Sequence, residues 1–321
     1  MATRVNSLNF RGALRLGAGH YIAIICALAL TGFFSNARAV DEVPLDASAQ
    51  GVPQGRCHFD AEKLSFAGTA IEQARCLLRP NKIGGVLGVP ARLPDVLEHR
   101  IGRIFALDHA RLQAYLLANN FHPVLTWSLE WPVARARDDA ADAPQAAYFA
   151  IHDTSTPYLF GAPFPKRLDQ DEIINDLSQY AVADPVAHVF INRRGEIFLG
   201  HDYAQAWRAT NLESFPPLGP SRLLKGLFLH HELAQPRRME VGAGPQNDRI
   251  APHPGFSRAQ YRCLAEAYAV ASARAGHWLI PAFHSAIDEG YAAKHDDPQN
   301  FRIQDFAHEL SRLVRNAGEA P

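Results

Sequence analysis

Fifteen histidines are spread through this chain of 321 residues, and two of them stand where a metal ion could use them. His152 ends the apolar, aromatic and β-branched run 147–153, and His284 follows Leu279-Ile-Pro-Ala-Phe283 in the same way. A polar side chain at the end of a strand faces the open rim of an α/β sheet, where such folds build their sites. Asp297 precedes Pro298, whose ring restricts the neighbouring backbone and helps hold the carboxylate in one place. Two imidazoles, one carboxylate and an open fourth position make a catalytic zinc site. Each residue taken alone reads more simply as a hydrogen-bonded structural group, so the reading depends on all three. His231-Glu232 does not open a metalloprotease helix, because H-E-x-x-H requires His where Gln235 stands. No G-x-G-x-x-G or Walker loop occurs, so a nucleotide cofactor has no support.

These side chains need elements to carry them. Thr69-Ala-Ile-Glu72 is a capping box that opens a helix through Leu78, and 108–117 reads as a second helix with apolar spacing at Leu112, Tyr115 and Leu116. Residues 136–145, charged and Ala-rich and holding Pro144, mark a boundary. Beyond it the rhythm changes. A strand is expected over 147–153 and a helix over 169–180. Strands over 186–191 and 196–199 flank Asn192-Arg-Arg-Gly195, a hairpin turn with glycine where positive φ is needed. A strand over 223–233 runs apolar until His230-His231-Glu232. Ser257-Arg-Ala-Gln260 caps a long helix with Tyr261, Leu264, Ala265, Tyr268 and Ala271 on one face, and 305–314 is a final amphipathic helix. Strands and helices intermixed in this order predict an α/β fold, a mixed central β-sheet flanked by helices, after a small, mainly helical N-terminal region.

From about Tyr148 the order of segments resembles the type 2 N-acetylmuramoyl-L-alanine amidases, zinc enzymes of the peptidoglycan recognition protein superfamily. Phe149-Ala-Ile-His152-Asp-Thr looks like the strand that delivers the family's first zinc histidine. Ala187-His188-Val-Phe-Ile191 with Asn192-Arg-Arg-Gly195-Glu-Ile197 resembles its hairpin. Ala206-Trp207-Arg208-Ala209 corresponds to Ala-Trp-His-Ala, and Leu229-His-His-Glu232-Leu233 to the strand carrying Gly-Ile-Glu-Leu. Phe256-Ser-Arg-Ala-Gln-Tyr261 starts the long helix before His284, and Asp297-Pro298 closes the site. The likeness covers roughly residues 146–301. It implies zinc ligands at His152, His284 and Asp297, and a catalytic Glu232 that takes a proton from water and returns it to the leaving amine. It implies an oxyanion partner at His295, where the family has Lys, with Lys294 as its neighbour. Trp207, Arg208 and His188 are the substrate-facing candidates, with core packing the competing reading for Trp207 and His188. The implied reaction is zinc-dependent hydrolysis of the amide between N-acetylmuramic acid and L-alanine in peptidoglycan. The alternative is a non-catalytic peptidoglycan-binding protein of the same fold. Recognition-only relatives usually lose a ligand, and here all are present. A third reading places the role in residues 57–135.

Several positions depart from the pattern. The stretch from His284 to Asp297 is about three residues longer than usual, which leaves Asp296 as an alternative third ligand. Arg208 replaces a common His, and Ala187 stands where some relatives have a Tyr. His230 and His231 replace Gly and Ile, a bulk that bears on the shape of the substrate groove more than on the metal site. His201, His253 and His277 read as surface or loop residues.

Arg4, Arg11 and Arg15, the apolar run 21–34 and Ala37-Arg38-Ala39 form a secretory signal peptide over 1–39. The run is too short for a spanning helix, although an uncleaved anchor is the alternative. Residues 40–56 read as a linker, 57–135 as an N-terminal region of unknown role and partner, and 146–321 as the amidase-like domain. The implied location is periplasmic or secreted, with peptidoglycan or muropeptides as partner and no stable membrane anchor after cleavage. Residues 1–39 hold four Arg and no acidic residue, so removing them moves the formal net charge from −1 to −5. No basic excess then argues for nucleic acid. Export permits disulfides; Cys57 and Cys76 are the expected pair, and Cys263 reads as a small buried apolar residue.

Overall fold

Five strands carry the architecture: β1 (Tyr148–Asp153), β2 (Val189–Ile191), β3 (Ile197–Leu199), β4 (Phe228–Leu233) and β5 (Ile280–Phe283). They form one sheet in the order β5-β1-β4-β2-β3. The first four in that order are mutually parallel, and β3 closes the edge antiparallel to β2. This is the mixed sheet the sequence predicts. The computed structural model describes residues 56–82, 86–214, 223–239, 249–291 and 295–318. The expected signal peptide, the linker up to residue 55 and Lys294 lie outside the described residues. No described helix is long and apolar enough to cross a membrane.

Strands β1 and β4 are buried along their whole length, which explains their nearly unbroken apolar sequences. Alternation sorts their side chains onto two faces. Phe149 and His231 share one face, their rings stacked 3.6 Å apart. Helix α4 (Arg258–Ala275) covers that face, with Tyr268 edge-on to Phe149 at 5.1 Å and its hydroxyl donating to the Leu279 carbonyl at 2.7 Å. Helix α6 (Ile303–Asn316) packs outside it, placing Phe306 on Tyr268. The capping box at Ser257 and Gln260 is formed, and α4 stops at Gly276 in the left-handed region, φ 71°. Each fully buried aromatic or aliphatic side chain here contributes roughly 1.5–3 kcal/mol.

On the other face Tyr148 stacks on Phe228 at 4.9 Å, and Phe66 meets Tyr148 edge-on. The Tyr148 hydroxyl donates to Gln73 Oε1 at 2.8 Å and accepts from the Phe66 amide at 2.9 Å. The N-terminal region and the sheet thus share a continuous apolar cluster. Helix α1 (Ala70–Leu77) has the expected capping box, and Asp108 caps α2 (His109–Ala118) by accepting from the Arg111 amide. Cys57 and Cys76 form a disulfide, and Cys263 is free and buried.

At the β2–β3 turn Gly195 has φ 81°, and a β-carbon there would lie 3.2 Å from the Ala259 carbonyl oxygen, so both backbone and space demand glycine. Three expected elements come out differently. The stretch 169–180 is not one helix but two 3₁₀ turns around a short helix, Glu172–Asn175. Asp171 accepts from the Ile174 amide and Asp176 from the Ser178 amide, so each aspartate restarts the chain instead of continuing it. Strand β4 begins at Phe228 because Leu224–Leu227 makes a turn, with Gly226 at φ 95° and the Leu227 amide donating to Leu224 O. Strand β2 begins at Val189.

Candidate metal centre

Parallel register brings the candidate residues level. His152 pairs with Glu232 across β1 and β4, and Phe283 pairs with Ile151, so His284 falls beside His152 at the carboxyl rim. The two imidazole rings are 4.3 Å apart. Asp297 reaches them from the long connection after α5 (His284–Ile287). Its Oδ2 lies 3.1 Å from His284 Nδ1 and 3.8 Å from His152 Nδ1, and accepts from the Asp153 amide at 3.3 Å. His152, His284 and Asp297 are all buried, and their ligand atoms lie close enough together to hold a metal ion. Asp296 points elsewhere: it accepts from Gln299 Nε2 at 2.6 Å and lies 3.6 Å from Arg237.

The electrostatics suit a bound cation. Glu232 Oε1 is 3.9 Å from His152 Nδ1, and its buried Oε2 has no hydrogen-bond partner. Burial and the Asp297 carboxylate push Glu232 up to about 8. Burial disfavours a His284 imidazolium, yet Asp297 and Asp288 outweigh it and hold its pKa well above the ordinary range. For His152, burial and then the neighbouring His284 drive the pKa well down. The Asp297 carboxylate, a protonated Glu232 carboxyl and an imidazolium crowded around a neutral imidazole form a donor set in which a divalent cation would take the place of protons.

His295 also reaches this rim. It is half-buried, its ring 3.7 Å from His284 and its Nδ1 2.7 Å from Asp288 Oδ2. Lys294 is not described. Trp207 lies outside the cluster, half-buried, its ring stacked 3.9 Å from His201. Arg208 is exposed. His188 is fully buried, with Nδ1 accepting from the His230 amide and Nε2 3.1 Å from the Gln205 carbonyl. His201 lies in the loop after β3, as the loop reading has it, and is buried there, its Nε2 2.7 Å from the Pro185 carbonyl. His230 and His231 are both fully buried within the sheet.

Three groups around the centre were not singled out by the sequence. Asp288 is 3.0 Å from His284 Nε2; its position four residues after His284 is a local signal. Glu213 closes a capping box with Thr210 and lies 3.1 Å from His230 Nε2; the T-x-x-E pattern was readable, its second partner was not. Arg237, fully buried, grips both oxygens of Asp153 at 2.8 and 2.7 Å. Burial raises Asp153 to about 6 against the pull of Arg237, and the Gln299 amide donates to the same carboxylate, tying the strand end to the Asp297 segment.

No protein-family profile matches the chain, and no curated protein does. Among solved structures it is similar to the Ph2119 endolysin from Thermus scotoductus MAT2119 bacteriophage Ph2119, at 13% identity, covering 57% of this chain and 92% of the endolysin, with a TM-score of 0.28.

Proposed function

We propose that this chain is a zinc-dependent amidase exported to the cell envelope, where it hydrolyses the amide between N-acetylmuramic acid and L-alanine in peptidoglycan. The observation that carries the reading is the convergence of His152, His284 and Asp297 at one rim, with the unpartnered Oε2 of Glu232 beside them. His and Asp donors in this number suit Zn²⁺, with room for substrate as a further ligand. A bound zinc ion would supply Lewis acidity and make water a usable nucleophile near neutral pH. The protein's own residues do the rest. Glu232 accepts the proton of the attacking water at its free oxygen and delivers it to the departing amine nitrogen. Glu232, held at about 8 by burial and the Asp297 carboxylate, would be lowered by a bound cation into the range where a base works at neutral pH. His295, half-buried on the rim, would donate a hydrogen bond to the carbonyl oxygen as charge builds there. Lys294 is the neighbouring candidate for that oxyanion role, and Trp207 and Arg208 are the candidates for holding the substrate. The chemistry argues for metal-assisted amide hydrolysis; the muramoyl substrate rests on the family resemblance of the segments.

The test is digestion of isolated sacculi by the zinc-loaded chain, followed by mass analysis of the products. Free stem peptides beginning with L-alanine are expected, and Glu232→Ala should reduce their release by about 10³-fold or more while zinc stays bound. Release at the wild-type rate by Glu232→Ala would remove the base from this account; cleavage only between sugars would remove the amidase reading.

A further inference from the structure

Each histidine of the centre has two ring nitrogens, and the partner of one decides what the other can offer. For His284 the Nε2 partner is Asp288, 3.0 Å away and fully buried. Asp288 is itself oriented by backbone amides: Asn211 donates to its Oδ2 at 2.9 Å and Leu212 to its Oδ1 at 3.0 Å. For His152 the Nε2 partner is another imidazole, His230 Nδ1, at 3.1 Å. Beyond it His230 Nε2 lies 3.1 Å from Glu213 Oε2, within reach though off the line of a well-aligned hydrogen bond. Glu213 accepts from the Ala209 amide at 3.0 Å, the Thr210 amide at 3.1 Å and the Thr210 hydroxyl at 3.0 Å. Both carboxylates behind the centre are therefore held by one stretch, Ala209–Glu213, which runs into the short helix α3 (Asn211–Ser214).

We propose that this turn is a brace that fixes the tautomer of both metal-centre histidines, directly through Asp288 for His284 and through a Glu213–His230 relay for His152. A carboxylate at Glu213 keeps the His230 proton on Nε2, and His230 Nδ1 then accepts from His152 Nε2–H. His152 is left with a bare Nδ1, aimed at the point it shares with Asp297. Asp288 does the same for His284 in one step. His230 is thereby a positioning residue; it stands behind His152, not at the reacting atoms. Its own backbone amide donates to His188 Nδ1 at 3.0 Å, which gives the fully buried His188 a place in the same support.

The proposal rests on the metal-centre reading, and the test separates the two. Zinc affinity of the purified chain is measured by chelator competition for the wild type, His230→Phe, Glu213→Gln, the double variant, and His231→Phe as a control from the opposite face. ¹⁵N imidazole spectra of the metal-free proteins are recorded beside them. Support for an outer partner of a metal histidine is worth about 10–100-fold in affinity. His230→Phe is thus expected to bind zinc 10–100-fold more weakly, Glu213→Gln to lose affinity in the same direction, and the double variant to lose no more than His230→Phe alone. His231→Phe should bind as wild type. The wild-type spectrum should place the His152 proton on Nε2, and His230→Phe should mix the two tautomers. If His230→Phe does not fold, Glu213→Gln and its spectrum decide. Wild-type zinc affinity in His230→Phe, fully additive losses, or a His152 proton on Nδ1 would overturn the brace. A wild type that binds no zinc would instead overturn the metal reading, leaving the spectra to judge the brace by themselves.

Discussion

His230 and His231 are adjacent in one strand and equally buried, yet they belong to different regions of the molecule. His230 faces the rim, between His152 and Glu213. His231 faces the helical layer, stacked on Phe149 with its Nε2 2.6 Å from the Tyr203 hydroxyl and its Nδ1 3.3 Å from the Ala150 carbonyl. Burial pushes His231 down to about 3, so it stays neutral and serves as a polar member of the core. The carboxyls repeat the contrast. Glu232 at the rim and Glu266 in α4 are both raised by burial, to about 8 and about 7. The first sits among metal-ligating side chains, the second beside Arg262 and Arg312. The same physical cost is incurred on both sides of the sheet, and among the described residues it is at the rim that the side chains converge as metal ligands would. A buried polar residue in this fold is therefore assigned by what its partners lead to, not by its burial.

The comparison breaks if the helical side influences metal, or if the rim residues serve only stability. The largest effect on that side is expected from His231→Ala, which empties a stacked core position and orphans the Tyr203 hydroxyl. It should cost about 3–5 kcal/mol in denaturant unfolding and leave zinc affinity unchanged; a large loss of zinc binding in a folded His231→Ala would erase the distinction. A smaller, pH-dependent effect belongs to Glu266. Its folded-state pKa is raised from 4.5 to about 7, so the folded chain holds the proton more tightly than the unfolded one, and stability falls as pH rises from about 4.5 through about 7. Glu266→Gln should remove that slope. It should match the wild type below pH 4.5 and exceed it by at most about 3 kcal/mol above pH 7. A wild type with no such slope in urea titrations at stepped pH would show that Glu266 is solvated or paired in the folded state.

The fold class and the rim were legible because strands carry a local signal. Apolar runs that end in His152, Glu232 and His284 mark both an element and its open end. The capping boxes at Thr69 and Ser257 were equally local, and both are formed. The helix expected over 169–180 failed because Asp171 and Asp176 compete for backbone amides at positions that periodicity does not weigh. The support behind the centre was not legible for a different reason. His152 and His230 lie 78 positions apart and meet only because parallel register aligns Ala150 with His230. Thr210-x-x-Glu213 carries the local pattern of a helix start but was not singled out, and its approach to His230 is purely a matter of how that turn packs. Asp288 alone could have been found, from its spacing to His284.

The central claim is that three side chains from distant segments hold one divalent ion. Calorimetric titration of the metal-free chain with Zn²⁺, repeated for His152→Ala and Asp297→Ala with circular dichroism to confirm folding, addresses it most directly. The account predicts one ion per wild-type chain, with affinity at least about 100-fold weaker in either variant while the fold is retained. A wild type that takes up no zinc, or variants that bind it as tightly as the wild type, would contradict it.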